Sequence, residues 1–169
     1  MPADDATFRS SMRLLAGGVT IVTSAFEGKR SGLTATAVCS LALAPPRILA
    51  SINMQGHTYQ VVSRSRCMSI NLLAKDHEEL AERFAAKRAA VEEDRFVYGE
   101  WKQRVTGAPV LADALAALDC RVTEIIPLDT HAILIGVVED VLFGPHRLPL
   151  IHFEAGYTSV LAARSESPS

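Results

Sequence analysis

SGLTATAVCSLALAPPRILASIN, residues 31–53, is the stretch from which the fold is read. Its first half mixes small and hydroxyl-bearing residues. Pro45-Pro46 then turns the chain, and residues 48–53 continue as an apolar strand that ends on a polar side chain. Thr and Val suit a pleated, half-buried surface, so a β-strand and its turn are the plain expectation. The same residues also suit a ligand. Gly32, Ala35 and Ala37 carry almost no side chain, which lets a flat ring lie against the backbone. Thr34, Thr36 and Ser40 place hydroxyl donors between them. A planar heterocycle that carries a phosphate needs that mixture of close main-chain approach and donors for the anion. On these residues alone both readings stay open.

Outward from this stretch the pattern remains mostly β. On the N-terminal side, Phe8, Met12 and Leu15 recur at helical spacing, which predicts a short amphipathic helix closed by Gly17-Gly18. Residues 19–24 read as a strand, and Glu27-Gly28-Lys29-Arg30 as a hairpin turn. On the C-terminal side a helix is expected at about 58–64, a buried strand at 68–73, and a helix in HEELAERFA, where Leu80, Ala81, Phe84 and Ala85 share a face. Residues 86–108 show no period and read as a long excursion, the kind of segment that tends to be functional in a domain this size. Leu118, Cys120 and Val122 alternate with polar neighbours, residues 132–138 are nearly all apolar, and residues 151–153 add a short strand. Six or so strands with few helices predict a closed antiparallel barrel and not βαβ repeats.

Composition narrows the function. The 169 residues suffice for one domain with a real core, and 49% hydrophobic against 21% charged is ordinary globular composition. A net charge of −2 argues against a nucleic-acid partner. No run reaches the roughly 18 to 20 apolar residues of a membrane span. The acidic start MPADDATFRSS lacks the apolar core of a signal peptide. Cys39, Cys67 and Cys120 cannot all pair, and each sits among apolar residues, as thiols of a reducing compartment do. A cytoplasmic protein is expected.

The familiar chemical motifs are missing. There is no GxGxxG after a strand, no phosphate-binding GxxxxGK[ST] and no GxSxG elbow. The five histidines show no HxxxH or HExxH spacing and the cysteines no CxxC, so no metal site is expected. What remains is a polar cluster after the second strand: Asn53, Gly56, His57 and Thr58 open a helix, and free N–H groups there favour an anion. An ordinary N-cap by Thr58 leaves the same pattern. His131 stands at the start of an apolar strand, two residues after Asp129, where a structural role is the commoner one.

Taken in order, several stretches resemble the flavin reductase-like family, the short NAD(P)H:flavin oxidoreductases that supply reduced flavin to two-component monooxygenases. They are residues 31–53, FRSSMRLLAGGVTIVTS (8–24), ERFAAK (82–87), DRF (94–96), VTGAPVLADALAALDCRV (105–122), THAILIGVVEDV (130–141) and residues 149–161. The likeness runs over about 8–161, which makes 1–169 one domain with a polar tail at 162–169. It implies a six-stranded antiparallel split β-barrel of the Greek-key, FMN-binding type with a few flanking helices, working as a homodimer. The implied reaction is hydride transfer from NADH or NADPH to N5 of FMN or FAD, and the implied partner a flavin-dependent monooxygenase. No Rossmann site is needed, because the family binds nicotinamide directly over the flavin. The resemblance makes residues 32–37 and Ser40 the flavin cradle, with Asn53, His57, Thr58 and Lys87 toward its phosphate, although Lys87 and Arg88 fit a solvated helix end equally well. It sets His131 beside the nicotinamide carboxamide and Tyr157 near the pyridine nucleotide. The family often has Gly-Asp-His where this chain has Asp129-Thr130-His131, so Asp129 is left between steadying the ring and capping a turn. Two other classes fit the same barrel: an FMN-retaining oxidase of the pyridoxamine-phosphate-oxidase type, and a non-catalytic flavin- or haem-binding module.

Overall fold

The computed structural model describes residues 1–86 and 92–161. Helix α1 (Asp5–Met12) leads into a two-residue strand β1 (Gly17–Gly18), the hairpin β2 (Thr20–Phe26) and β3 (Lys29–Ala35), and then β4 (Val38–Leu43) and β5 (Pro46–Asn53). Helix α2 (His57–Ser65), strand β6 (Cys67–Leu72) and helix α3 (Glu78–Ala85) follow, with a 3-10 turn at Lys75–His77. A second 3-10 segment at Glu92–Val97 precedes the small hairpin β7 (Trp101–Gln103) and β8 (Pro109–Leu111). The long strands β9 (Ala116–Leu128) and β10 (His131–Phe143) come next, and β11 (Ile151–Phe153) and β12 (Gly156–Thr158) complete the described chain.

The molecule is mainly β and antiparallel, as the sequence predicts, but the sheet is not the expected closed six-stranded barrel. Seven strands pair in the order β3-β2-β6-β9-β10-β5-β4, and the edges β3 and β4 are not hydrogen-bonded to each other. A separate sheet joins β1, β11 and β12, and β7 pairs with β8. Residues 36 and 37 alone connect β3 to β4, the two opposite edges. Three peptide links reach roughly 11 Å at most, so the sheet must roll until its edges meet at that corner. It is rolled without being sealed.

Side-chain alternation explains the long apolar runs. In β2, Ile21 and Val22 point to opposite faces and both are fully buried. Val22 belongs to the core inside the rolled sheet, with Ile52, Met68, Ile70, Cys120 and Leu134. Ile21 belongs to a second core outside it, where Phe84, Phe96, Val110 and Leu111 pack beneath Trp101. The outer core is made by α3 and by the segment at 92–111. Part of that segment, read from sequence as a periodless excursion, is therefore structured. Buried Asn71 on β6 holds it, donating to Ile21 O at 2.9 Å and accepting from Leu111 N–H at 2.7 Å. Asp119 fastens the preceding loop by accepting the Thr106 N–H at 2.8 Å.

The N-terminal expectation also changes. The helix ends at Met12, short of Leu15, and Gly17-Gly18 do not cap it; they pair with His152 and Ile151 as β1. No residue of α1 is buried, and Phe8 and Met12 face outward.

Candidate functional site

A cleft of about 670 Å³ opens where β3, the end of β5, the start of α2, the end of α3 and the 92–97 segment converge. One wall is Leu33, Thr34 and Ala35 of β3, and the facing wall is Ser51, Ile52 and Asn53 of β5. These strands lie near each other because the β3–β4 corner folds β4 and its partner β5 back over β3. Ala35 is 9% exposed and leaves the wall flat. Thr34 turns its hydroxyl away from the opening, donating to Ala81 O of α3 at 2.6 Å.

The cleft has a polar end built around the start of α2. Gly56 is the N-cap residue, in an extended conformation, and no side chain caps the helix. Thr58 is the second helical residue and not the cap. Its hydroxyl lies 2.9 Å from that of fully buried Ser31, which is also 3.1 Å from His57 Nδ1. Arg95 enters from the 3-10 segment. Its guanidinium donates to Gly32 O at 2.8 Å and to Ala86 O at 2.6 Å, while among the described residues its buried Nε–H has no partner. Glu92 Oε2 accepts from Ser31 at 3.0 Å and lies 3.5 Å from Arg95 Nη1. Hydroxyls, a ring nitrogen, an uncapped helix start and a guanidinium thus converge on one corner, which is an anion-binding chemistry.

His131 also lines the cleft and pairs across the sheet with Asn53. Asn53 Oδ1 accepts the Gln55 N–H at 2.8 Å and so shapes the turn into α2. His131 is exposed, and its Nδ1 lies 2.8 Å from the Thr130 hydroxyl. Asp129 occupies the β9–β10 turn with φ +46°, a left-handed conformation that aspartate tolerates. Thr130, and not Asp129, contacts the imidazole.

The cleft therefore gathers seven residues singled out in the sequence: Thr34, Ala35, Asn53, Gly56, His57, Thr58 and His131. The others lie elsewhere. Gly32 is buried behind the wall, where a Cβ would stand 2.7 Å from Phe84 Cε1. Thr36 and Ala37 form the exposed corner between β3 and β4, and Ser40 is on the edge strand β4. Tyr157 is on β12, packed against the outer core, and burial, aided by Glu82 and Glu78, raises its hydroxyl pKa. Lys87 and Arg88 fall outside the described residues. Ser51, Gln55, Glu92 and Arg95 line the cleft without having been singled out. Arg95 had a signal, the DRF triplet, but a lone arginine in a periodless segment does not announce a buried position.

Comparison with known proteins bears on this cleft. The family model described as flavin reductase like domain matches residues 12–161. The FMN reductase (NADH) RutF 1 of Methylorubrum extorquens is 36% identical over 160 residues, spanning 95% of this chain and 79% of that protein. The FMN reductase (NADH) RutF of Agrobacterium fabrum is 40% identical over 150 residues, spanning 89% and 85%. Among solved structures, the flavin reductase PheA2 superposes with a TM-score of 0.83 at 29% identity, covering 94% of this chain and 99% of its own. A homologue of nitrilotriacetate monooxygenase component B from Mycobacterium thermoresistibile gives 0.87 at 25% identity, covering 98% and 91%.

Proposed function

Because the chain belongs to the flavin reductase-like domain family, we propose that the cleft between β3 and β5 holds a flavin and the nicotinamide of NADH together. The protein is an NADH-dependent flavin reductase, acting on FMN or FAD. The observation that carries the assignment to this cleft is its anion corner. Arg95 is only 9% exposed, and a buried guanidinium whose Nε–H has no partner among the described residues suits a phosphorylated ligand.

Ser31, His57, Thr58 and Arg95 would hold the flavin phosphate. Thr34, Ala35 and Asn53 would border the ring, and the small side chain of Ala35 keeps the backbone near it. Ser40 and Tyr157 lie away from this cleft and would act, if in the same site, from a second subunit. A bound flavin supplies the hydride acceptor, N5, opposite C4 of the reduced nicotinamide. The residues contribute position and exclusion of water, holding reacting atoms roughly 3 to 3.5 Å apart. With Nδ1 engaged by Thr130, His131 meets the carboxamide through Nε2 and orients the donor without passing a proton.

We read the rolled sheet with unsealed edges as a split barrel and 1–169 as one such domain. A homodimer accounts for the outward face of β5, β10 and β9, where Leu49, Ile133, Ile135 and Ile126 stand in cross-strand register beside Ser51, Asn53 and His131. Reduced flavin passes to a partner oxygenase, as the monooxygenase-component relative suggests. Free thiols at Cys39, Cys67 and Cys120 fit the cytoplasm.

Flavin titration of two variants tests the placement. Ala35→Leu fills the cleft wall, whereas Ala37→Leu adds the same volume at the exposed corner. FMN affinity should fall about ten-fold or more for the first and little for the second. Equal affinity in Ala35→Leu and wild type would put the ring elsewhere.

A further inference from the structure

The anion corner of the cleft already holds an anion, and it belongs to the chain. Glu92 Oε2 sits 3.0 Å from Ser31 Oγ and 3.5 Å from Arg95 Nη1. Ser31 Oγ is in turn 2.9 Å from Thr58 Oγ1 and 3.1 Å from His57 Nδ1. Ser31, Thr58, His57 and Arg95 are thus each within one or two polar contacts of this carboxylate. Glu92 is 27% exposed on its side chain, against 9% for Arg95, so it occupies the corner from the solvent side.

We propose that Glu92 is a built-in competitor of the flavin phosphate, a residue that sets how tightly the enzyme holds phosphorylated flavins. The inference rests on the flavin-cleft reading above. A phosphate that reaches Ser31, Thr58 and Arg95 brings its oxygens within a few ångströms of the carboxylate. Like charges that close repel strongly at the effective dielectric of a protein surface. The carboxylate must then leave its hydrogen bond to Ser31 and its pairing with Arg95, and binding is weakened by what those contacts are worth. Without flavin, the same carboxylate neutralises a guanidinium that would otherwise be buried alone. A reductase whose product must depart gains from such a displaceable occupant: the flavin is admitted but not retained. The competition acts on phosphate and not on the ring, so a flavin without phosphate is indifferent to it.

Fluorescence titration of wild type and Glu92→Gln with FMN and with riboflavin tests this. Gln keeps the shape and a polar oxygen for Ser31 but has no charge. The expected result is FMN binding tightened about ten-fold in Glu92→Gln, with riboflavin affinity unchanged. The unchanged riboflavin value also shows that the cleft is intact. FMN affinity unchanged or weakened in the variant overturns the proposal, because Glu92 would then be neutral or would support the site. Equal tightening of FMN and riboflavin also overturns it, since the effect would not run through phosphate. If wild type binds neither flavin, the cleft assignment itself fails, an outcome distinct from failure of the Glu92 proposal alone.

Discussion

His131 lines the cleft at the start of β10, just after a two-residue turn, and is steadied by one hydroxyl. If it orients the nicotinamide through a single neutral hydrogen bond, its loss costs about 0.5 to 1.5 kcal/mol, or roughly two- to twelve-fold in the hydride-transfer rate. Stopped-flow reduction of bound flavin should rank wild type above His131→Asn and that above His131→Ala, with flavin affinity little changed. A loss of several orders of magnitude would instead mean proton transfer. A second residue-scale prediction concerns the thiols. Cys67 and Cys120 are buried, and burial, with Asp119 and Glu139 nearby, pushes the Cys120 thiol up to about 12. The thiolate is the reactive form, so no more than one thiol per native chain, Cys39, should titrate with a disulfide reagent, and all three after denaturation. Fast native reaction of a second thiol would contradict the packing. At this scale the sequence was informative where residue type and chain position coincide. Thr34, Ala35, Asn53, His57, Thr58 and His131 are small or polar residues at strand and helix ends, and these ends meet. Arg95 and Glu92 were not legible as site residues, because they reach the cleft from a segment with no periodicity. Arg95 contacts Gly32 across 63 positions of sequence.

Among the elements, β3 shows how a ligand-like pattern can serve packing. Gly32 looked like part of a flavin cradle, yet an added Cβ would lie 2.7 Å from Phe84 Cε1 and 3.1 Å from Thr23 Cγ2. Gly32 lets α3 dock on the sheet. Gly32→Ala should therefore destabilise the protein by about 1–3 kcal/mol in denaturant unfolding, and a variant as stable as wild type would show that Phe84 has room to move. Strand and helix positions around the seven-stranded sheet were legible because alternation and helical spacing report burial directly. Gly17-Gly18 were misread because two glycines after an apolar repeat look like a helix stop, and their pairing with residues 151 and 152 is set by distant chain. The hairpin of β7 and β8 was hidden for a similar reason. Its strands are three residues long, too short to show a period, and its anchors, Asn71 and Asp119, lie on other elements.

For the whole molecule, the mainly β antiparallel architecture was legible from strand count and the scarcity of helices. Sheet closure was not. Whether seven strands seal depends on edge-to-edge pairing of β3 and β4, and local sequence does not encode that. If flavin is a substrate that enters, is reduced and leaves, each chain turns over many flavins. The most direct test is anaerobic: a trace of purified protein with NADH and free FMN, both in large excess, followed by the visible absorption of oxidised flavin. Continuous bleaching is expected until NADH or FMN is exhausted, with many flavins reduced per protein chain. No bleaching, or reduction limited to one protein-bound flavin per chain, would contradict it.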